Sequence, residues 1–199
     1  MFSFDLNKIQ KKKRNFMNSS VQYPSSQHYL FANCRCVSDF EKLHTIGEGT
    51  YGTVYCAKDK LSQEIVAIKK VKIHDRKEGF PITSLREIKN LQKLQGHPNI
   101  VKIKEVVVGY KADSIFLVFE HCALDLANLV DRMYVENKFF SESEIKCLML
   151  QILNGLAYIH SIFQIQRDLK LSNLLINEKG IIKIADFGLS RSYGCLIFL

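Results

Sequence analysis

Three glycines with the spacing G-x-G-x-x-G, at Gly47, Gly49 and Gly52, constrain the fold of this chain more than any other feature. The same spacing forms the strand-to-helix turn of dinucleotide-binding folds, so the motif alone is ambiguous. Here the next residues, Thr53-Val54-Tyr55-Cys56, continue as a strand and not as a helix. The glycines are therefore predicted at the tip of a β-hairpin, where backbone N–H groups can cover phosphates; a plain glycine hairpin is the alternative.

Hydrophobic periodicity predicts a small antiparallel sheet followed by helices. Three strands between Phe40 and Lys72, with two more at 100–108 and 114–119, make a five-stranded sheet. A helix at 83–94 has one apolar side, formed by Leu85, Ile88, Leu91 and Leu94. A long helix at 141–163 begins with a capping box of Ser141 and Glu144. This order predicts an α+β fold, with a crevice between a sheet lobe and a mainly helical lobe.

The length and charge indicate one domain preceded by a basic arm. The 199 residues, 47% of them hydrophobic, suffice for one sizeable core. Residues 1–36 are polar, contain the basic run 11–14 and lack apolar periodicity, so we expect a mostly disordered arm. The net charge of +8 alone cannot distinguish nucleic acid from acidic or phosphate-bearing partners. Scattered cysteines and the lack of a sustained apolar stretch predict an intracellular protein without a membrane segment, in the nucleus and/or the cytoplasm.

Polar residues after the hairpin have the types and order that phosphoryl transfer needs. Val66-Ala67-Ile68-Lys69 places a lysine on a strand, where it can contact nucleotide phosphates. Farther on, Arg167-Asp168-Leu169-Lys170 with Asn173 is followed by Asp186-Phe187-Gly188. Asp168 is suited to a position near an attacking hydroxyl, and Asn173 and Asp186 supply the hard oxygen ligands that Mg²⁺ prefers. Singly, each residue is more typical of a turn or a helix cap; together, in this order, they indicate one site.

These motifs resemble those of protein kinases, and GEGTYG, PITSLRE and DLKLSNLL are similar to the cyclin-dependent kinase family, in its PITSLRE-type branch. The resemblance covers about residues 40–194. It implies a Ser/Thr protein kinase that transfers the ATP γ-phosphate to proteins in cell-cycle or transcription control. ATP and Mg²⁺ are the implied cofactors, a cyclin bound through residues 81–87 is the implied partner besides protein substrates, and nucleic acid is not expected. The implied partial kinase domain, 37–199, has an N-lobe at about 40–119, a hinge at 120–125, an incomplete C-lobe at 126–194 and an atypical tail at 195–199.

The resemblance also implies a role for individual residues. Asp168 and Lys170 match the catalytic positions, Asn173 and Asp186 the metal ligands, and Glu87 the ion-pair partner of Lys69. The residues implied to surround ATP are Ile46, Gly47, Glu48, Gly49, Gly52, Val54, Ala67, Lys69, Glu120, Cys122 and Leu175, with Phe119 as gatekeeper. Thr50 and Tyr51 match positions of inhibitory phosphorylation, where added charge would repel nucleotide phosphates; unmodified loop residues are the alternative.

Two departures from the family pattern affect the expected activity. Gln166 stands where the family has His, and we expect poorer packing against Phe187, since a buried amide without partners costs about 1–3 kcal/mol. The sequence also stops soon after Gly188, with the apolar residues 195–199, so the long helix is expected to expose an apolar face. We therefore expect no protein-kinase activity from this chain alone. A non-catalytic fragment that binds ATP or a cyclin is the alternative function.

Overall fold

The computed structural model describes residues 34–49, 52–72, 81–110 and 114–194. The strands there are β1 (Phe40–Gly49), β2 (Gly52–Asp59), β3 (Ile65–Val71), β4 (Ile103–Val108), β5 (Ile115–Glu120), β6 (Leu124–Asp125), β7 (Gln164–Ile165), β8 (Leu174–Ile176), β9 (Ile182–Ile184) and β10 (Arg191–Ser192). The α-helices are α1 (Ile82–Lys93), α2 (Leu126–Val135) and α3 (Glu142–Ser161). The predictions for the basic run 11–14, for Thr50 and Tyr51, and for the tail 195–199 lie outside the described residues.

The predicted five-stranded sheet is present, with antiparallel pairing in the order β1-β2-β3-β5-β4. One face buries a hydrophobic cluster of Phe40, Ala57, Val66, Ile68, Val107 and Val118. Side chains alternate along a strand, so Ala67 and Lys69 of β3 point to the other face. Val54 of β2 lies on that face too, since it pairs directly with Lys69. The alternation thus separates the core from the residues that the motifs single out.

Helix α1 has the predicted position, but its buried side is not the predicted apolar stripe. Leu91 and Leu94 are buried as expected, whereas Leu85 is 53% exposed. The polar residues Glu87 and Asn90 are buried instead. The prediction for Leu85 was wrong because α1 turns toward the sheet the side that carries Glu87, whose carboxylate pairs with Lys69 of β3.

Helix α3 begins where the sequence predicts, because Ser141 and Glu144 form the capping box. Ile152 and Ile159 are buried, and Gly155 lies so close to β9 that an added Cβ would be 2.7 Å from the Ile184 side chain. The expected apolar face is also present: Ile145, Met149, Leu150 and Leu153 are about half exposed. Within the described ranges, no helix is both long enough and apolar enough to cross a membrane.

Residues 34–36, which the sequence analysis included in the arm, contact the sheet. The Arg35 guanidinium donates to both carboxylate oxygens of Asp59, at 2.9 and 2.7 Å, and to Glu105 at 3.0 Å. It also lies 4.6 Å from the centre of the Phe40 ring. The hydrogen bond from Arg35 holds the pKa of Asp59 well below its usual range. The packed region therefore begins at least as early as Cys34.

Candidate active site

The first part of the site is an ion pair between the sheet and helix α1. The Lys69 ammonium on β3 lies 2.8 and 2.9 Å from the two carboxylate oxygens of Glu87 on α1. The Lys69 side chain is 15% exposed and the Glu87 side chain only 5%. Burial raises the pKa of Glu87, and the neighbouring ammonium opposes that shift. The structure thus joins the two residues that the resemblance pairs.

The second part is the loop that carries Asp168, held chiefly by Asn173. Asn173 Nδ2 donates to the backbone carbonyl of Asp168 at 2.8 Å and to its carboxylate Oδ2 at 2.9 Å. The Lys170 ammonium lies 2.9 Å from the same Oδ2. Asn173 is buried while Asp168 is partly exposed. The Asp168 carboxylate is therefore fixed from the protein side and still reaches the solvent side of the loop.

The third part is Asp186, whose preceding residue Ala185 is bonded to the backbone of Asn173. The amide of Ala185 donates to the carbonyl of Asn173 at 2.9 Å. Asn173 uses its NH₂ group on Asp168, so its amide oxygen remains as an acceptor. An amide oxygen and a carboxylate suit Mg²⁺, which binds few protein groups and keeps waters and phosphate oxygens as its other ligands. Asn173 and Asp186 therefore have the chemistry to hold Mg²⁺ if the ion binds here.

Gln166 is not the defect that the sequence predicts. Its side chain is 2% exposed, and both of its polar atoms have partners. Nε2 donates to the carbonyls of Ala185 and Asp186 at 3.1 and 3.0 Å, and Oε1 accepts from the amide of Asp168 at 2.6 Å. Phe187 beside it is fully buried. The expected cost of an unpaired amide does not arise, because the backbone on both sides supplies partners.

The apolar residues predicted to surround adenine are at least partly exposed in the structure. Ile46 is 46% exposed, and Val54, Ala67 and Leu175 are partly exposed, as apolar residues of an open pocket would be. Ala67 pairs across the sheet with Phe119, the predicted gatekeeper. Glu48 pairs with Thr53 near the hairpin tip, and its side chain is exposed. Their exposure leaves these side chains accessible to a ligand.

The side chains of the predicted hinge are engaged within the protein. Glu120 accepts the backbone N–H of Lys102 at 2.8 Å and lies 2.9 Å from the Lys183 ammonium on β9. Burial raises the pKa of Cys122 to about 12, so the thiol stays neutral. A ligand at the hinge would therefore meet backbone groups. Lys183 was not among the predicted site residues, although a lysine within the apolar run Ile-Ile-Lys-Ile is the signal that could have identified it.

The glycine hairpin needs one of its glycines for steric reasons. Gly52 has a φ of +150°, and an added Cβ would lie 2.1 Å from the backbone oxygen of Lys70 on the neighbouring strand. Gly47 has no atom within 4 Å of an added Cβ. The pairing of Gly49 with Gly52 confirms the hairpin predicted from the sequence. Gly52 thus permits close approach of β2 and β3, while the space beside Gly47 is open.

Comparison with known proteins identifies a family model and several relatives that this chain resembles. The family model described as protein kinase domain matches residues 40–195. Cyclin-dependent kinase 10 of Rattus norvegicus is 53% identical over 183 residues, which cover 91% of this chain and 50% of that protein. The human cyclin-dependent kinase 10 is 56% identical over 168 residues, 84% of this chain and 45% of that protein. Cyclin-dependent kinase 11 of Dictyostelium discoideum is 52% identical over 182 residues, 92% of this chain and 50% of that protein. The chain thus spans about half the length of the curated relatives it matches.

Proposed function

Because the chain belongs to the protein kinase domain family, we propose that it acts as a protein Ser/Thr kinase of the cyclin-dependent type. One observation carries the proposal: helix α1, which pairs Glu87 with Lys69, also bonds to the segment that follows Asp186. Arg86 donates to the carbonyl of Gly188 at 3.3 Å, and Asn90 donates to the carbonyl of Phe187 at 3.4 Å. These bonds support a single site for Lys69, proposed to bind phosphate, and Asp186, proposed to hold the metal. The segment Asp168–Asn173, bonded to Ala185, adds the third group that phosphoryl transfer needs.

Each residue has a distinct part in the proposed transfer. Lys69, oriented by Glu87, would bind phosphate oxygens of ATP. Asn173 and Asp186 would hold Mg²⁺, which neutralises charge on the triphosphate. Asp168 would accept the proton of a Ser or Thr hydroxyl while that oxygen bonds to the γ-phosphorus and ADP leaves. Lys170, paired with the Asp168 carboxylate, would stabilise negative charge on the transferred group.

Titration with a fluorescent ATP analogue tests the nucleotide site. We expect saturable binding that strengthens when Mg²⁺ is added, and we expect Asp186→Asn to remove most of that gain, about tenfold or more, since it weakens a metal ligand. Asp131→Asn on the exposed side of α2 is the matched control and should bind like the wild type. Equal gains from Mg²⁺ in the wild type and Asp186→Asn would contradict the assignment.

The exposed apolar face of α3 favours the second candidate, a chain that binds nucleotide or a cyclin without transferring phosphate. A surface of this kind is normally covered in a stable enzyme. The two functions are separated by transfer of labelled γ-phosphate to a Ser-Pro peptide, with the wild type compared with Asp168→Asn in the presence of a purified cyclin. Transfer by the wild type but not by Asp168→Asn supports the kinase. No transfer by either protein supports the second candidate.

We also propose that this chain binds a cyclin, since the relatives are named cyclin-dependent kinases, and that residues 81–87 form the contact. Ile82 is 70% exposed and Leu85 53% exposed, on the part of α1 away from the sheet. They line a groove of about 370 Å³ together with Arg86, Lys89 and Arg191. Exposed apolar side chains with a polar rim are the usual anchors of helix-mediated recognition.

Charged substitutions on α1 test this surface. Ile82→Asp and Leu85→Asp should each reduce capture of a purified cyclin about tenfold, because each places a carboxylate where an apolar anchor is buried on binding. Leu61→Asp is the matched control, since Leu61 is 82% exposed in the turn between β2 and β3. If the three variants retain the cyclin equally well, the interface lies elsewhere.

A further inference from the structure

We propose that Gln166 is a positioning residue that fixes the backbones of both site carboxylates, Asp168 and Asp186, through one amide. The functional part of this inference rests on the proposed nucleotide site. Gln166 touches neither a carboxylate oxygen nor the space for a ligand among its described contacts. It bonds to the peptide groups from which the two carboxylates project, so its effect on chemistry is indirect.

The amide uses three hydrogen bonds in an arrangement that fixes its orientation. Both protons of Nε2 go to carbonyls, those of Ala185 and Asp186, and Oε1 accepts from the N–H of Asp168. Rotating the amide by half a turn would set two carbonyls against an oxygen and an N–H against an NH₂ group. The orientation therefore follows from the chemistry of the partners.

The same bonds belong to a closed ring of four residues. Gln166 donates to the carbonyl of Ala185, and the amide of Ala185 donates to the carbonyl of Asn173. Asn173 Nδ2 donates to the carbonyl of Asp168, and the amide of Asp168 donates back to Gln166. Breaking the ring at Gln166 frees two of its four bonds at once. The bonds from Ala185 to Asn173 and from Arg167 to Leu189 would still join the two segments.

Backbone strain shows why this region needs such a ring. Arg167 has a φ of +67° and Asp186 a φ of +56°, both in the left-handed region that non-glycine residues rarely adopt. Such conformations persist only where the surrounding structure determines them. Gln166 precedes Arg167, binds the amide that follows Arg167 and binds the carbonyl of Asp186. Its amide thus acts on both strained peptides.

Other side chains at this position could not make all three bonds. A neutral imidazole has one donor and one acceptor, so it could keep at most two of them. A carboxylate has no donor for the two carbonyls, and a methionine has neither a donor nor a strong acceptor. Gln166→Met removes all three hydrogen bonds while keeping the side chain nearly the same length. Gln166→His can keep at most two of them. Gln164→Met is the matched control, since Gln164 is also fully buried but bonds to Asn90.

The experiment uses the full chain and makes two separate measurements. One reports the hydrogen bonds of Gln166, called the tether below, and the other reports their effect on Mg²⁺-dependent nucleotide binding. Amide hydrogen exchange without ligand reports the Asp168 N–H, which donates directly to Gln166. We expect Gln166→Met to speed its exchange at least tenfold relative to the wild type, and Gln166→His to give an intermediate value. With the ATP analogue, Gln166→Met should reduce the gain in affinity on adding Mg²⁺ by about tenfold, while the affinity in EDTA stays unchanged. Gln164→Met should leave both readouts as in the wild type, even where its melting temperature falls.

The outcomes separate this inference from the proposed function. If the wild type binds no nucleotide, the proposed function fails, and the exchange of Asp168 still decides the tether. Unchanged exchange in Gln166→Met, or an equal change in Gln164→Met, overturns the inference. So does a full response to Mg²⁺ in a Gln166→Met protein that binds nucleotide. If Gln166→Met does not fold, Gln166→His is compared with the wild type instead. The inference is overturned if Gln166→His shows the same Asp168 exchange rate and the same gain in affinity with Mg²⁺ as the wild type.

Discussion

Lys69→Met is expected to lower the free energy of unfolding by about 3–5 kcal/mol, because it leaves the Glu87 carboxylate buried without a counter-ion. Lys69 supplies both hydrogen bonds of that carboxylate among the described residues. Replacing both partners, in Lys69→Met with Glu87→Met, should restore most of the lost stability, since the buried charge is then absent. Lys70→Met, one residue along β3 and exposed, is the matched control. Urea unfolding of the four proteins measures the effect.

The pH dependence of Lys69→Met provides an independent check. Burial raises the pKa of Glu87, and the single variant removes the ammonium that opposes this shift. A carboxyl group whose pKa is higher in the folded than in the unfolded state favours folding at low pH, and that contribution is lost as pH rises above the unfolded value. The deficit relative to the wild type should therefore be smaller at pH 5 than at pH 8. A deficit independent of pH, or no larger than that of Lys70→Met, would contradict the buried-charge account.

This result also determines how nucleotide binding by Lys69→Met is interpreted. A variant that is partly unfolded loses ATP for reasons unrelated to phosphate contact. The double variant avoids that ambiguity, because its helix α1 is expected to pack normally while the ammonium is absent. Weak ATP binding by the double variant would thus be attributable to the missing phosphate contact of Lys69.

The sequence predicts best where the local pattern and the tertiary environment agree. Alternation along β3 places Val66 and Ile68 in the core and Lys69 opposite them, and the capping box fixes the start of α3. Both features depend on residues close together in sequence. The predicted sheet and long helix are accordingly present, with ends displaced by one to three residues.

The sequence predicts less well where a polar residue finds a distant partner. Asn90 bonds to Gln164, 74 positions away, and to the carbonyl of Phe187, 97 positions away. No local pattern identifies such partners, so Gln166 looked like a defect and Leu85 looked like a core residue. In each case the fold supplies a buried polar contact that hydrophobic periodicity alone cannot predict.

Gly52→Ala is expected to cost about 3 kcal/mol of stability, which combines a steric clash with a strained backbone. The new Cβ would lie 2.1 Å from the backbone oxygen of Lys70, and a φ of +150° is essentially restricted to glycine. Backbone atoms cannot rotate away as a side chain would, so β2 and β3 would have to separate. That separation begins two residues from Val54, which pairs with Lys69. Urea unfolding should therefore show lower stability, and the ATP analogue should bind more weakly.

Gly47→Ala tests the same hairpin at a position where the added methyl group causes no steric clash. Its added Cβ meets no atom within 4 Å, so its stability should stay within about 0.5 kcal/mol of the wild type. If the open space beside Gly47 holds nucleotide, the methyl group should still weaken binding of the ATP analogue. Gly52→Ala would thus lose stability and affinity together, and Gly47→Ala would lose affinity alone. Equal stability losses in the two variants would show that the approach of β2 to β3 does not require Gly52.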